Sequence, residues 1–212
     1  MSTYISVIGI GPGGMDYVLP LALKEIRTSD VLIGGKKALN MFDFLNKESL
    51  QITGDLKSVI SYLENLSPDR KAAVLVSGDP GFYSFLNYLK ENLPSKDIRV
   101  IPGISSFQVA FAHLQASWHD AYLFSLHGRR RKDLALFIKE KLREFSKVAF
   151  LTDSEMTPNE VARVLLQEGF EDRKVFVLSD LTLPAEQVKD VTLSLLAQSR
   201  ESGNSVVVFA DE

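Results

Sequence analysis

The sequence predicts an α/β protein of two domains, and three observations carry that reading. Short apolar, β-branched runs alternate with helix-like segments from the first residues onward, the pattern of a mostly parallel sheet. Three of these runs end in glycine-containing turns, at Gly9 to Gly14, Ser77 to Gly81 and Pro102 to Ser106. Trp118-His119-Asp120 then breaks the alternation before it resumes, which divides the 212 residues into domains over 1–116 and 117–212.

The run from Tyr4 to Gly9 reads as a buried strand whose glycine tip invites close backbone approach by a ligand. Gly9, Gly11 and Gly14 satisfy the dinucleotide spacing G-x-G-x-x-G. That pattern requires the turn to run straight into a helix and an acid to end the second strand. Here Pro12 and the segment 15–19 intervene before a helix opening near Pro20, and Asp30 stands at the start of the second strand. The first half continues with strands at about 30–34, 49–53, 72–77 and 98–101. Helices are expected at about 20–28, 36–45, 55–66, 82–92 and 104–114. In the second half, strands fall at about 121–126, 147–152, 174–179 and 205–209, and helices at about 131–144, 157–168 and 192–199. Thr157-Pro158-Asn159-Glu160 opens a helix with proline in its first turn.

Ligands of parallel sheets bind beyond the carboxyl ends of the strands, so the three turns together outline a site lined by backbone amides and carbonyls. Individually each has a plainer explanation. An Asp-Pro-Gly turn capping the next helix accounts for Asp79, and N-capping accounts for one of Ser105 and Ser106. One cap does not need two serines.

The composition narrows the function. The absence of cysteine removes disulfides, thiolate metal sites and a cysteine nucleophile, and no metal is expected. No apolar run approaches the ~20 residues of a membrane span, and no basic segment precedes an apolar one as in a signal peptide. A cytoplasmic protein without a membrane or nucleic-acid partner fits, since the formal charge of −3 offers no general attraction to nucleic acid. Against that background Arg129-Arg130-Arg131-Lys132 is conspicuous. Four cations at a helix start oppose the helix dipole, and an anionic ligand explains them better than stability does.

As a set, G-I-G-P-G at Gly9 to Gly13, S-G-D-P-G-F at Ser77 to Phe82 and P-G-I-S-S at Pro102 to Ser106 resembles the tetrapyrrole (corrin/porphyrin) methylase family, over nearly the whole chain. The resemblance implies a two-domain α/β methyltransferase, usually a homodimer, with S-adenosylmethionine in the interdomain cleft. It implies that Pro12 lies against the cofactor and that Ser77, Gly78 and Asp79 approach its methionine and ribose portions. By the same resemblance Phe82 packs nearby, Ser105 and Ser106 stand beside the methionine end, Leu151 contacts the adenosine, and an adenine contact falls within Asp180 to Pro184.

The segment Ser125-Leu126-His127-Gly128-Arg129 is similar to that of the branch methylating C-5 of (cobalt-)precorrin-7 in cobalamin biosynthesis, as is Val31 to Lys36. In some members of that branch a C-15 methyltransferase that also decarboxylates is fused on, so a separate partner of that kind is expected. The substrate is then a corrinoid bearing many carboxylates, for which Arg129 and Arg130 are candidate partners. Methyl transfer of this kind rests mainly on positioning. If a proton must be moved, His127 is the candidate acceptor, because imidazole titrates near neutrality, and Asp79 either polarises the substrate or orients the cofactor. His113 and His119 read as structural. Other methylases on the same scaffold (uroporphyrinogen methylase, diphthine synthase, a ribosomal RNA ribose methyltransferase), a nicotinamide-dependent oxidoreductase and a non-catalytic binder are the alternatives.

Overall fold

A computed structural model describes residues 4–128, 131–201 and 204–210. The chain divides into two compact units, Met1–Ser105 and Ser106–Glu212. The division precedes the boundary expected at 116 because the helix that opens the second unit packs on that unit's own last strand.

In the first unit, β1 (Tyr4–Gly9), β2 (Val31–Gly34), β3 (Glu48–Gln51), β4 (Ala72–Val76) and β5 (Asp97–Ile101) form a parallel sheet in the order β3-β2-β4-β1-β5. The connections carry α1 (Pro20–Thr28), α2 (Lys36–Met41), α3 (Leu56–Glu64) and α4 (Leu86–Asn92). Both sheet faces are covered. Ile5 and Val7 join Val59 and Leu63 of α3 and Leu89 of α4, whereas Ile8 joins Ala22 and Ile26 of α1 and Phe42. Burial on two faces is why the inner strands β1, β2 and β4 read as largely apolar runs, each buried aliphatic side chain contributing about 1.5–3 kcal/mol, whereas the edge strands β3 and β5 are mostly exposed. Ser6 is the polar exception on β1, and its hydroxyl donates to buried Glu25 of α1 at 2.8 Å. Pro20 occupies the first turn of α1, and Asp55 caps α3 by accepting the Ser58 N–H.

Two helices depart from the sequence pattern. The helix expected over 36–45 stops at Met41 and continues as a 3₁₀ turn, Asp43–Leu45. The one expected from 82 begins at Leu86, since Tyr83 adopts a positive φ of 48° that no α-helix contains.

The second unit begins with α5 (Ser106–His113), followed by β6 (Ala121–Ser125), α6 (Leu134–Glu144), β7 (Lys147–Leu151) and α7 (Pro158–Gln167). Then come β8 (Lys174–Ser179), β9 (Gln187–Thr192), α8 (Leu193–Gln198) and β10 (Ser205–Ala210). The sheet order is β6-β7-β10-β8-β9, with only β6 and β7 parallel. Phe124, Phe150 and Phe209 pack across three neighbouring strands, and Ile138, Leu165 and Leu196 from α6, α7 and α8 close over them. Thr157 and Thr192 cap α7 and α8 with their hydroxyls.

Candidate functional site

Because β4, β1 and β5 are adjacent and parallel, the three glycine turns emerge side by side. They lock together through the backbone. The Gly78 N–H donates to the Gly11 carbonyl at 2.8 Å, and a Cβ on Gly9 would lie 2.6 Å from both Gly103 N and Gly78 O. No side chain fits at Gly9, so its glycine is a packing requirement. Gly11 is required for another reason, a φ of +78°.

Asp79 completes the lock. Its Oδ1 accepts the Gly81 N–H at 2.7 Å within its own turn, and its Oδ2 accepts the Gly103 N–H at 3.0 Å from the third turn. The half-buried carboxylate thus fastens the tip of β4 to the tip of β5. Phe82 donates its N–H to the Asp79 carbonyl, and its ring meets Tyr83 edge-on at 4.7 Å. Ser77 is exposed, while Pro12 and Ser105 are half-buried. Of the expected cofactor residues, then, Pro12, Ser77, Gly78, Asp79, Phe82 and Ser105 belong to this one assembly of turns. The face over Gly78 is open: a Cβ built there would meet only the Ser105 Cα, at 3.8 Å. Such an uncovered backbone surface leaves room for a ligand to approach the turn closely. A nicotinamide cofactor is less well served. The turn leads into a 3₁₀ segment rather than α1, and the Asp30 carboxylate is committed to the Lys71 N–H at the amino end of β2.

The remaining expected residues lie in the second unit. Ser106 opens α5. Leu151 ends β7 opposite Ser125 of β6, and its carbonyl accepts the Leu126 N–H at 2.9 Å. His127 follows at the same sheet end, exposed, with its N–H on the Ser125 hydroxyl at 3.2 Å. Arg129 and Arg130 lie outside the described residues. Arg131 stacks its guanidinium on the Phe137 ring at 3.7 Å. His113 pairs with Glu186 at 3.0 Å, and His119 with the Ser117 hydroxyl at 2.6 Å.

Asp153 escaped the sequence reading. Buried beyond the tip of β7, it accepts the Gly128 N–H through Oδ2 at 2.9 Å, and the Glu155 and Met156 N–H groups through Oδ1 at 2.8 and 2.7 Å. Burial pushes its carboxyl pKa up, yet the three backbone donors and nearby His127 outweigh that and hold it below the ordinary range. Asp153 repeats the Asp79 device: an aspartate at a strand tip closes its own turn with one oxygen and grips the glycine of another turn with the other. An aspartate directly after an apolar strand was the available signal. The loop after β8 carries strain, with Asp180 at φ +49° and Thr182 at φ +68°, and the Thr182 N–H donates to Glu186 at 2.6 Å.

A parallel sheet with glycine turns interlocked at adjacent strand tips, followed by a mixed sheet, matches one known class. The model of the Tetrapyrrole (Corrin/Porphyrin) Methylases matches residues 4–197, and the chain belongs to that family. Within it, the chain is 35% identical to the probable cobalt-precorrin-7 C(5)-methyltransferase of Methanocaldococcus jannaschii, over 97% of both chains. Its fold is shared with the precorrin-6Y methylase (cbiE) of Archaeoglobus fulgidus, at TM-score 0.74 and 21% identity, covering 99% of this chain and 98% of that one. The uroporphyrin-III C-methyl transferase of Thermus thermophilus, solved with S-adenyl homocysteine, aligns at TM-score 0.77 and 16% identity, covering 97% and 96%.

Proposed function

We propose that this chain transfers a methyl group from S-adenosylmethionine to C-5 of precorrin-7 or its cobalt form in cobalamin biosynthesis. The observation that carries the proposal is the 35% identity, over 97% of both chains, to a relative named for that reaction. When bound, the cofactor would supply an electrophilic sulfonium methyl, which an electron-rich macrocycle carbon would accept as S-adenosylhomocysteine leaves. The chain's own residues position and neutralise. Pro12, Ser77, Gly78, Phe82, Ser105, Ser106 and Leu151 hold the cofactor, with the adenine contact in the strained segment 180–184. Asp79 serves by fixing the turns and by placing negative charge near the sulfonium rather than by moving a proton, since both its oxygens already accept backbone N–H groups. His127, exposed at the tip of β6, accepts the proton if one must leave C-5. Arg129 and Arg130 meet substrate carboxylates. The working form is a cytoplasmic homodimer, with a separate protein acting at C-15.

The test is incubation of the purified protein with methyl-labelled S-adenosylmethionine and precorrin-7 or cobalt-precorrin-7, read by mass spectrometry and NMR. One labelled methyl at C-5 is expected. Cofactor binding without transfer to either acceptor would overturn the assignment.

A further inference from the structure

The loop between β8 and β9 is longer and more strained than its connection requires. The two strands pair antiparallel up to Ser179 opposite Gln187, a join that a loop of about two residues closes, yet residues 180–186 make it. Within them Asp180 has φ +49° and Thr182 φ +68°, a left-handed backbone that is costly for a β-branched side chain. Glu186 holds this shape from two directions. Its Oε2 accepts the Thr182 N–H at 2.6 Å inside the loop, and its Oε1 accepts from His113 Nε2 at 3.0 Å, at the end of α5. A carboxylate only accepts, so Nε2 is the imidazole nitrogen that carries the hydrogen. The device is that of Asp79 and Asp153: a carboxylate near a strand tip closes its own turn with one oxygen and takes a second element with the other.

The position of the loop gives this brace a purpose. β10 runs antiparallel to both β7 and β8, with Val206 opposite Leu151 on one side and Leu178 on the other, so β7 and β8 point the same way and end level. The segment from Asp180 therefore leaves the sheet at the same end as Leu151 and His127, two strand spacings, roughly 10 Å, from Leu151. We infer that the His113–Glu186 pair positions the segment 180–184 for the cofactor's adenine, which rests on the function proposed above. It keeps the segment in the left-handed shape in which the adenine is met. His113, structural by its sequence context, is thus a positioning residue that acts through Glu186. A brace serving stability alone would have no strain to hold, because glycine at 182 makes the same turn without it.

Calorimetric titration with S-adenosylhomocysteine reads the site, and hydrogen exchange at the Thr182 amide reads the loop. In His113→Asn the side-chain amide is too short to reach Glu186, whereas in His113→Gln its nitrogen extends about as far as Nε2 and keeps the donor. His113→Asn is expected to weaken S-adenosylhomocysteine roughly three- to tenfold, the range of one partly solvated hydrogen bond to a carboxylate, and to speed exchange of the Thr182 amide. His113→Gln should match wild type in both. His113→Leu, which also withdraws the donor, serves if the asparagine variant does not fold. In a Thr182→Gly background the left-handed shape carries no strain, so adding His113→Asn should cost less than about twofold. Wild-type affinity in His113→Asn and His113→Leu overturns the brace. So does a loss that His113→Gln fails to rescue, or an equal loss in the glycine background, since either would mark His113 as acting on the fold at large. Failure of the parent reading is separate. A wild-type protein that binds no S-adenosylhomocysteine, or whose 180–186 amides exchange alike with and without it, has no adenine at this loop, and the brace falls with that reading. One that binds it but methylates some other acceptor loses only the named substrate, and the brace stands.

Discussion

Asp79 shows how much one side chain can be asked to do. Its two oxygens accept N–H groups from two different turns, so the side chain must offer an acceptor on both sides. In Asp79→Asn the amide NH₂ must oppose either Gly81 or Gly103, replacing an accepted hydrogen bond by a donor facing a donor. Hydrogen bonds to a charged acceptor are worth about 1.5–3 kcal/mol, so the variant should bind S-adenosylhomocysteine roughly ten- to a hundredfold more weakly. Calorimetry measures this directly, and wild-type affinity in Asp79→Asn would mean that turn geometry does not control the cofactor site. Asp153 has the same double grip on Gly128 and its own turn, which places His127 by its neighbour's backbone rather than by contact with the imidazole. Its depressed pKa says that the native state favours the charged form.

Between elements, the pairing of β6 with β7 is fastened at both ends. Asp153 bonds Gly128 beyond the carboxyl ends, and Asp120 bonds Lys147 at 2.8 Å, and also Ser146, at the amino ends. The Lys147 ammonium, foremost, and the Ser146 hydroxyl hold the Asp120 pKa down to about 2 from an ordinary 3.8. A folded pKa below the unfolded one means that the unfolded chain binds more protons as pH falls. The pair's contribution is therefore complete above the ordinary carboxyl range and is lost as pH drops from about 5 toward 2. Asp120→Asn should melt lower than wild type at pH 7 and converge with it near pH 2, as thermal denaturation across that range would show; parallel curves would contradict it. Elements buried on two faces were legible because their apolar runs are unbroken, as in Ala72 to Val76. β9 was not. Val188 and Val191 stand three apart among Gln187, Lys189 and Asp190, so no alternation marks a strand that pairing with β8 alone defines. The same holds in the site. Glycines announce strand tips, but Asp153 acts across 25 residues.

Across the whole molecule, a formal charge of −3 sets a condition on any polycarboxylate substrate. The averaged field repels it, so capture depends on cations concentrated locally, and the longest such run in the sequence is Arg129 to Lys132. Among the described residues no helix is long and apolar enough to cross a membrane. Within that run of cations, Arg131 is stacked on Phe137, an arrangement that keeps its charge while fixing its direction. If Arg129 and Arg130 meet carboxylates, replacing both by alanine removes two attractive contacts and makes the net charge two units more negative, and both effects act on binding. KM for the corrinoid should then rise roughly three- to thirtyfold while kcat at saturation stays near wild type, because the contacts hold ground state and transition state alike. Ionic strength separates local contact from the averaged field. Added salt screens the ion pairs and raises the wild-type KM, whereas the double variant, with two fewer ion pairs to screen, should show a shallower rise in KM. Steady-state kinetics at several salt concentrations decide the matter: a wild-type KM in the double variant, or an identical salt response, would place these arginines outside substrate capture.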